Sequence, residues 1–364
     1  MTSESWERPG RSERSEATRI ILSTIVAVVI GAVFLWLAAR SVSLEDMGSY
    51  LAVADWRRIG LVSLVFMGLY GICHGARVVR WYYLVRPLGE VKSGDVHRVC
   101  TVGFLAVVIL PLRLGELVRP LLLARTTGVS GSGALGTVVV ERVIDGLIVT
   151  GVLFLALWSY QGDGSVEAAR ALGTVAAMIF VPALFFALVG YYQREMARVV
   201  LFSTAGRVVP KVAEKVWELL DQFYDGVAGL ARRRDLMPFA ALTGLYWGMN
   251  WVAMWVLARF AFGLEVGFFE MITVLVVLVV GLMVPAGPAM AGNFEYFTVQ
   301  GLGLYVPLED SLVSGQAGAF AGALHVLQLA VIVLPGAWLL VRDRRMRFGG
   351  KSLKEARELG EAKN

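Results

Sequence analysis

Long apolar runs, each close to the length of one membrane crossing, recur along the chain and limit the folds that it can adopt. They occupy residues 20–39, 59–76, 134–158, 169–192, 238–260 and 312–341. A helix needs about 20 mostly apolar residues to cross the hydrocarbon core of a bilayer. Only 17% of the residues are charged, against roughly a quarter in soluble domains. The sequence therefore predicts an all-α, polytopic membrane helix bundle with about seven or eight hydrophobic segments.

Two further apolar stretches are interrupted in the middle. Residues 99–125 contain Pro111 with charged residues after it, and residues 268–306 contain the sequence PAGPAMAG. The first stretch has about 27 residues, too few for two full crossings of about 20 each. Irregular backbone at membrane depth is tolerated only where protein or a water-filled cavity covers it. We therefore predict that each stretch forms a re-entrant or broken helical hairpin.

Loop charge predicts the topology. Loops 77–98 and 193–237 are basic, whereas loops 159–168 and 307–311 carry only acidic charges. Since cytoplasmic loops are enriched in Lys and Arg, the basic loops are predicted to be cytoplasmic and the acidic loops external. This pattern requires 99–125 to enter and leave from the cytoplasmic side and 268–306 to enter from outside. Opposite orientations of two broken segments indicate an inverted repeat, as in many transporters.

The apolar runs and the polar ends divide the chain into one membrane domain and two tails. We expect cytoplasmic tails at 1–19 and 342–364 and a single transmembrane domain at 20–341, in the cytoplasmic (inner) membrane. Within the cytoplasmic amphipathic stretch 193–237, apolar residues recur at helical spacing over 212–230, which is typical of a helix on the membrane surface. The net charge is +5. We attribute it to basic residues that orient the protein in the membrane and contact anionic lipid headgroups. Nucleic acid binding is not expected.

Three charged residues follow Pro111 at a spacing of three: Arg113, Glu116 and Arg119. Buried charges in a membrane cost at least a few kcal/mol each unless they are paired or hydrated. One interpretation is an anion site, in which the arginines bind phosphate oxygens and Glu116 holds the arginines in place. The other is an internal salt bridge that fixes the hairpin.

A second charged group, Glu141, Arg142 and Asp145, lies inside the predicted span 134–158. Glu141 and Asp145 share one helix face. Arg142 and Asp145, three residues apart, are predicted to pair, or else either acid pairs with Arg113 or Arg119 of the hairpin. The group either contributes to a substrate site or joins neighbouring helices.

A third group, Gly292, Asn293 and Glu295, follows the second interruption. Asn293 is predicted to cap the following helix, and Glu295 is a candidate for proton coupling or for a hydrated helix start. His325 is expected to be a hydrogen-bonded structural residue.

The inner end of the second span carries His74, Arg77, Arg80 and Trp81. We expect the two arginines to extend to lipid headgroups.

The stretch ILPLRLGELVRPLLLAR, followed by ALGTVVVERVIDGL, resembles the lysylphosphatidylglycerol synthase transmembrane region, the flippase-like family. PAGPAMAGNFE in the second half is similar as well, and the resemblance runs from the first span to residue 341. At His325 the chain departs from the family pattern, which favours an arginine. The matching motif positions are Pro111, Arg113, Gly115, Glu116, Arg119, Glu141, Arg142, Asp145, Gly292 and Glu295.

The resemblance implies that the protein handles lipids. In the multiple peptide resistance factors this membrane region is joined to a soluble aminoacyl-transferase domain, and no such soluble portion occurs in the present sequence. We therefore expect a flippase or transporter that moves an anionic phospholipid or a lipid-linked substrate. The alternatives are a membrane-embedded enzyme, with Glu116, Glu141 or Asp145 as acid or base, and an accessory protein of lipid or lipid-linked glycan synthesis. No catalytic residue, cofactor or metal is predicted, and a homo-oligomer is left open.

Overall fold

The computed structural model describes the backbone of residues 11–158, 192–230, 233–284, 287–343 and 346, with isolated positions between 171 and 185. Over these residues the chain is almost entirely helical and contains no strand, which confirms the predicted all-α class. The predicted external loop 159–168 lies outside the described residues, and so does most of the predicted span 169–192.

The first half of the described chain contains α1 (Arg11–Ser41), α2 (Leu44–Val53), α3 (Trp56–Val85), α4 (Ser93–Ile109), α5 (Val118–Thr127) and α6 (Gly131–Trp158). The second half contains α7 (Arg194–Ser203), α8 (Ala205–Val208), α9 (Pro210–Leu230), α10 (Arg233–Val256), α11 (Glu270–Gly281), α12 (Asn293–Leu302) and α13 (Ser311–Arg342). Short 3₁₀ segments occupy Arg86–Leu88, Pro111–Leu117 and Pro288–Met290, and a π-helical turn, Leu257–Ala261, follows α10.

Two stretches of the described chain, Trp56–Leu88 and α13, are long and apolar enough to cross a membrane by themselves. A third candidate is the pair formed by Val28–Ser41 and α2, whose axes are bent by 66°. Helix α6 is also long, but its predicted span is interrupted by Glu141, Arg142 and Asp145. These two or three candidates do not test the seven or eight hydrophobic segments predicted from the sequence, because several of those segments are broken or only partly described.

Helix α3 continues beyond the predicted span, and this corrects the sequence analysis. Asp55 begins the helix by accepting a hydrogen bond from the Arg58 backbone N–H at 3.0 Å. The helix then runs to Val85, so Arg77 and Arg80 lie within it, whereas the sequence placed them in a basic loop over 77–98. Only residues 89–92 remain outside regular helix before α4 begins. The prediction was wrong because it treated these arginines as unpaired charges that had to leave the bundle.

Helices α4 and α5 form a hairpin that turns at Pro111. Leu110 has an extended backbone (φ −84°, ψ 136°), as expected for a residue before proline, and the 3₁₀ segment follows. Gly115 lies so close to the backbone of Ala106 and Val107 that no side chain would fit there. The position of this hairpin in the bilayer stays a prediction.

Helices α11 and α12 form a second hairpin, and residues 282–284 and 287–292 lie between them. Gly281 packs against the ring of Phe297, and the Tyr305 hydroxyl donates a hydrogen bond to Thr273 at 2.8 Å. The 3₁₀ segments at the tips of the two hairpins contact each other, and both contact α1. The two interruptions that the sequence singled out therefore meet inside one bundle.

The apolar core has two large clusters. One lies between α3 and α10–α13 and includes Phe66, Met254 and Phe320. The other lies where α3, α4, α5 and α6 meet and includes Trp81 and Phe104. The charged residues singled out in the sequence lie beside this second cluster.

Candidate functional site

Helix α6 brings two carboxylates to one face, opposite α3. The Arg80 guanidinium lies between them: Nη1 donates to Asp145 Oδ1 at 2.8 Å, and Nη2 lies 2.6 Å from Asp145 Oδ2 and 2.8 Å from Glu141 Oε1. The side chains of Arg80 and Glu141 are 0% exposed. A planar guanidinium can serve two carboxylates at once because its donors point in a fixed fork.

The first hairpin contributes Arg119 to the same face. Its Nη2 lies 2.7 Å from Glu141 Oε2, and its guanidinium carbon lies 4.9 Å from the ring centres of both Trp81 and Phe104. Trp81 is itself oriented by a hydrogen bond from Nε1 to the Thr137 hydroxyl at 3.0 Å. Both oxygens of Glu141 are thus used by arginines, one from α3 and one from α5.

Two further arginines border this network without strong partners. Arg142 Nη2 lies 3.7 Å from Glu141 Oε1 and 3.7 Å from Asp145 Oδ2, beyond hydrogen-bond distance, and its side chain is 29% exposed. The Arg77 guanidinium lies 4.0 Å from the ring centre of Phe104. Its Nε is buried without a hydrogen-bond partner, and within the described part of the chain no carboxylate pairs with it. We call Arg77, Arg80, Arg119, Glu141, Arg142 and Asp145 the charge cluster.

The charge cluster contains four guanidinium groups and two carboxylates. The two acids neutralise Arg80 and Arg119, which leaves a surplus of two positive charges on Arg77 and Arg142. Both side chains are only partly buried, and an uncompensated charge within a membrane protein is costly unless a counter-ion or water reaches it. The arrangement is therefore suited to an anion with oxygens that accept from two guanidinium groups.

The structure brings together most of the residues of the first two sequence groups. Arg119, Glu141, Arg142 and Asp145 belong to one network, and the predicted pairing of a hairpin arginine with an acid of α6 is present. Glu116 is half-buried and makes no ion pair with Arg119, so the proposal that Glu116 holds this arginine is wrong; Glu141 does so. The side chain of Arg113 lies outside the described residues, and its role stays a prediction.

Sequence reasoning missed Arg80 as the centre of the network and Arg77 as its neighbour. Their predicted extension to lipid headgroups is wrong for Arg80, which is fully buried. A signal was present in the sequence: Arg77 and Arg80 continue the helical register of the apolar run before them. Two acids one turn apart on another apolar helix also require buried cations nearby.

The third sequence group lies at the start of α12. Gly292 has φ +88° and touches the backbone of Gly31 and Leu35 of α1 too closely for any side chain. Its N–H donates to Glu295 Oε2 at 2.8 Å. Asn293 does not cap the helix as predicted; its amide donates to the Val284 carbonyl at 3.2 Å instead.

His325 of α13 closes the second hairpin. Nδ1 lies 2.6 Å from Glu295 Oε1, and Nε2 lies 2.8 Å from the carbonyl oxygen of Ala289. Its ring stacks on Phe294 with 4.3 Å between the ring centres. Both nitrogens of His325 are thus within hydrogen-bond distance of an oxygen atom.

These elements define a helical membrane protein that holds a buried charge cluster between α3, α5 and α6. Residues 24–336 match the family described as the lysylphosphatidylglycerol synthase TM region, and the chain belongs to this family. No curated protein and no solved structure matches the chain. The family ties the protein to the membrane and to lipid biology.

Proposed function

We propose that the protein is a flippase or transporter that moves an anionic phospholipid or a lipid-linked anionic substrate across the cytoplasmic membrane. The observation that carries the proposal is the surplus of two positive charges in the charge cluster. Membership of the lysylphosphatidylglycerol synthase TM family supports a lipid as the substrate class. A phosphate headgroup supplies the negative charge that the cluster lacks, while its acyl chains stay in the bilayer.

Within the cluster the arginines have different roles in this proposal. Arg80 and Arg119 hold the two carboxylates and fix α3 and α5 to α6. Arg77 and Arg142 have donors to spare, and they are the residues that we expect to bind the headgroup oxygens. This differs from the expectation based on sequence, in which Arg113 and Arg119 bound the anion, because the charge of Arg119 is already paired with Glu141 through Nη2.

The basic stretch 193–237 and the basic C-terminal tail support an arrangement with both termini in the cytoplasm. In that arrangement the C-terminal end of α3, where Arg77 and Arg80 lie, is near the cytoplasmic leaflet. The headgroup would then enter the site from the leaflet in which phospholipids are made, and movement of one hairpin against the other would expose it to the opposite side.

The geometry is less favourable to Glu141 or Asp145 as the acid or base of a membrane-embedded enzyme. A general acid or base exchanges a proton with the substrate and so needs an oxygen that can reach it. Both oxygens of Glu141 already accept hydrogen bonds from arginines. Asp145 is similarly engaged by Arg80 on both oxygens. An accessory role in lipid synthesis would require a stable partner, which co-purification from the native membrane would reveal.

The test is movement of a labelled lipid between leaflets of sealed proteoliposomes. Phosphatidylglycerol with a nitrobenzoxadiazole label on one acyl chain is placed in the inner leaflet, and dithionite added outside reports its arrival. We expect transfer by the unaltered protein, and a loss of about tenfold or more in R77Q, since a charge-assisted hydrogen bond contributes about 1.5–3 kcal/mol.

R57Q is the matched control, because Arg57 is an exposed arginine at the other end of the same helix. Labelled phosphatidylcholine tests whether net charge matters. Equal transfer of both lipids, or full transfer by R77Q, would show that the charge cluster does not select an anionic headgroup.

A further inference from the structure

His325 lies between two oxygen acceptors, one from Glu295 and one from Ala289. A neutral imidazole can donate a hydrogen bond to only one of them. Both nitrogens of His325 point at oxygens: Nδ1 at the Glu295 carboxyl group and Nε2 at the Ala289 carbonyl. A neutral imidazole carries a single N–H. With an ionised Glu295, one of the two contacts would therefore have no hydrogen between its atoms.

One additional proton completes both hydrogen bonds. The pair is then either an imidazolium beside a carboxylate or a neutral imidazole that accepts from a protonated Glu295 while its Nε2–H donates to Ala289. The number of bound protons is the same in both forms. The second oxygen of Glu295 accepts from the Gly292 N–H in either form.

The backbone that His325 contacts is in an unfavourable conformation. Ala289 and Met290, at the tip of the second hairpin, have φ of +56° and +58°. Within the part of the chain that the structure describes, no other non-glycine residue has a positive φ. Such residues persist only where the surrounding structure holds them. The hydrogen bond from His325 Nε2 to the Ala289 carbonyl is a contact that holds this tip.

We propose that His325 and Glu295 form a proton-binding site that fastens the tip of the second hairpin, so that loss of the proton releases the tip. The two residues come from different elements, α13 and α12, and the fastened segment lies against α1 and against the tip of the first hairpin. Release would therefore free a segment at the place where the two hairpins meet. The consequence for lipid movement, namely coupling to protons, rests on the proposed function.

Several elements around His325 carry other titratable or charged groups. They are Tyr296 on α12, Arg342 on α13, Arg40 and the charged residues of 11–19 on α1, Glu45, Asp46 and Tyr50 on α2, Arg57, Arg58, Tyr70, Cys73, His74, Arg77, Arg80, Tyr82 and Tyr83 on α3, Asp95, His97 and Arg98 on α4, Arg259 in the π-helical turn, and Arg113 and Glu116 at the first hairpin tip. Asp46 of α2 lies against Gly315, about 15 Å along α13 from His325. Arg342 is about 25 Å along α13 from His325 at 1.5 Å per residue. Asp95, His97 and Arg98 lie in the first two turns of α4, away from its tip end. An experiment must therefore distinguish a pH response that arises from Glu295 from one that arises from Glu116.

Counting hydrogen-bond donors in the same way predicts opposite effects on the tip for E295Q and H325F. In E295Q the amide donates to His325 Nδ1 and its oxygen accepts from Gly292, so a neutral histidine satisfies every contact and the tip stays fastened at all pH values. In H325F the stacking on Phe294 is kept, but the Ala289 carbonyl loses its donor, so the tip is released at all pH values.

The experiment follows the tip with a nitroxide attached through A291C, since Ala291 is exposed beside the fastened residues. The native Cys73 and Cys100 are buried; they are replaced by alanine, and S203C on α7 serves as a reference site. Spectra of the protein in liposomes are taken from about pH 5 to about pH 9, which spans the range in which histidine charge commonly changes.

We expect the ratio of mobile to immobile nitroxide to rise by about tenfold with pH. It should stay low in E295Q and high in H325F, and E116Q should respond as the unaltered protein does. A ratio independent of pH with an intact pair, or a full response in E295Q, would overturn the proposal. Loss of the response in E116Q would overturn it too, by assigning the proton to the other hairpin.

Lipid transfer is measured separately, with labelled phosphatidylglycerol and an imposed pH gradient. A tip that responds to pH in a protein that moves no lipid would refute the proposed function and leave the proton site intact. Lipid transfer with a tip that ignores pH would refute the proton site alone.

Discussion

The guanidinium of Arg119 lies 2.7 Å from the Glu141 carboxylate, and both side chains are at most 1% exposed. This contact joins the first hairpin to α6. Arg80 approaches the other oxygen of the same carboxylate at 2.8 Å. A single glutamate therefore ties three helices together, and the position of the two arginines depends on it.

Glu141→Gln should lower stability more than any change at an exposed ion pair. Removal of one partner from a buried pair costs about 3–5 kcal/mol, because the remaining charges stay buried without compensation. Thermal unfolding of the purified protein in detergent measures the loss. Glu265→Gln is the control: Glu265 pairs with Arg259 at 3.4 Å but is 86% exposed, and such pairs contribute about 0–1 kcal/mol. Similar melting temperatures for the two variants would contradict the assigned role of Glu141.

Arg80→Lys should also destabilise the protein, although it keeps the charge. Lysine presents one compact ammonium group and cannot donate in parallel to Glu141 and to both oxygens of Asp145. Arg86→Lys is the matched change, since Arg86 contacts Asp235 at a single distance of 3.2 Å and is 29% exposed. We expect Arg80→Lys to lower the melting temperature clearly and Arg86→Lys to have little effect. The opposite order would mean that the fork of Arg80 is not required.

Some features of the fold follow directly from the sequence. Pro111 predicts the end of α4, since the residue before a proline avoids the helical region, and the helix ends there. The spacing of Glu141 and Asp145 predicts a shared face on a regular helix. Local chain chemistry determines both, and neither needs information about distant residues.

The partners of the charges could not be predicted in the same way. Regular helical spacing favoured Glu116 as the partner of Arg119, but residues 111–117 form a 3₁₀ segment. The position of Arg80 opposite α6 depends on packing between helices that are 61 residues apart in the chain. A rule that assigns basic residues after an apolar run to headgroups cannot detect such a contact.

The cap of α12 shows the same limit. Asn293 is a good capping residue type, and the sequence placed the cap there. In the structure α1 lies against Gly292, where no side chain fits, and this close approach sets the helix start one residue earlier. A contact with a helix about 260 residues away thus overrides a local preference.

The predicted topology can be tested by labelling introduced cysteines in intact cells. G164C lies in the acidic loop that we expect outside, and S203C lies in the basic stretch that we expect inside. A membrane-impermeant maleimide should label G164C in intact cells and S203C only after permeabilisation. The native cysteines are buried, and the unsubstituted protein reports their background. The reverse pattern would place the surplus charge of the cluster near the external leaflet.

Gly115→Ala should disrupt the first hairpin. An added methyl group would collide with the backbone of Ala106 and Val107, and backbone on both sides of the contact cannot move away as a flexible side chain can. Since α5 carries Arg119, opening of the hairpin would also withdraw that arginine from Glu141.

Gly68→Ala in α3 is the control, because nothing lies within 4 Å of the added group and alanine favours the helix by about 0.8–1.0 kcal/mol. We expect Gly115→Ala to lose its folded, monodisperse peak in detergent chromatography while Gly68→Ala keeps it. A well-folded Gly115→Ala variant with normal thermal stability would mean that α4 and α5 do not approach as closely as the structure indicates.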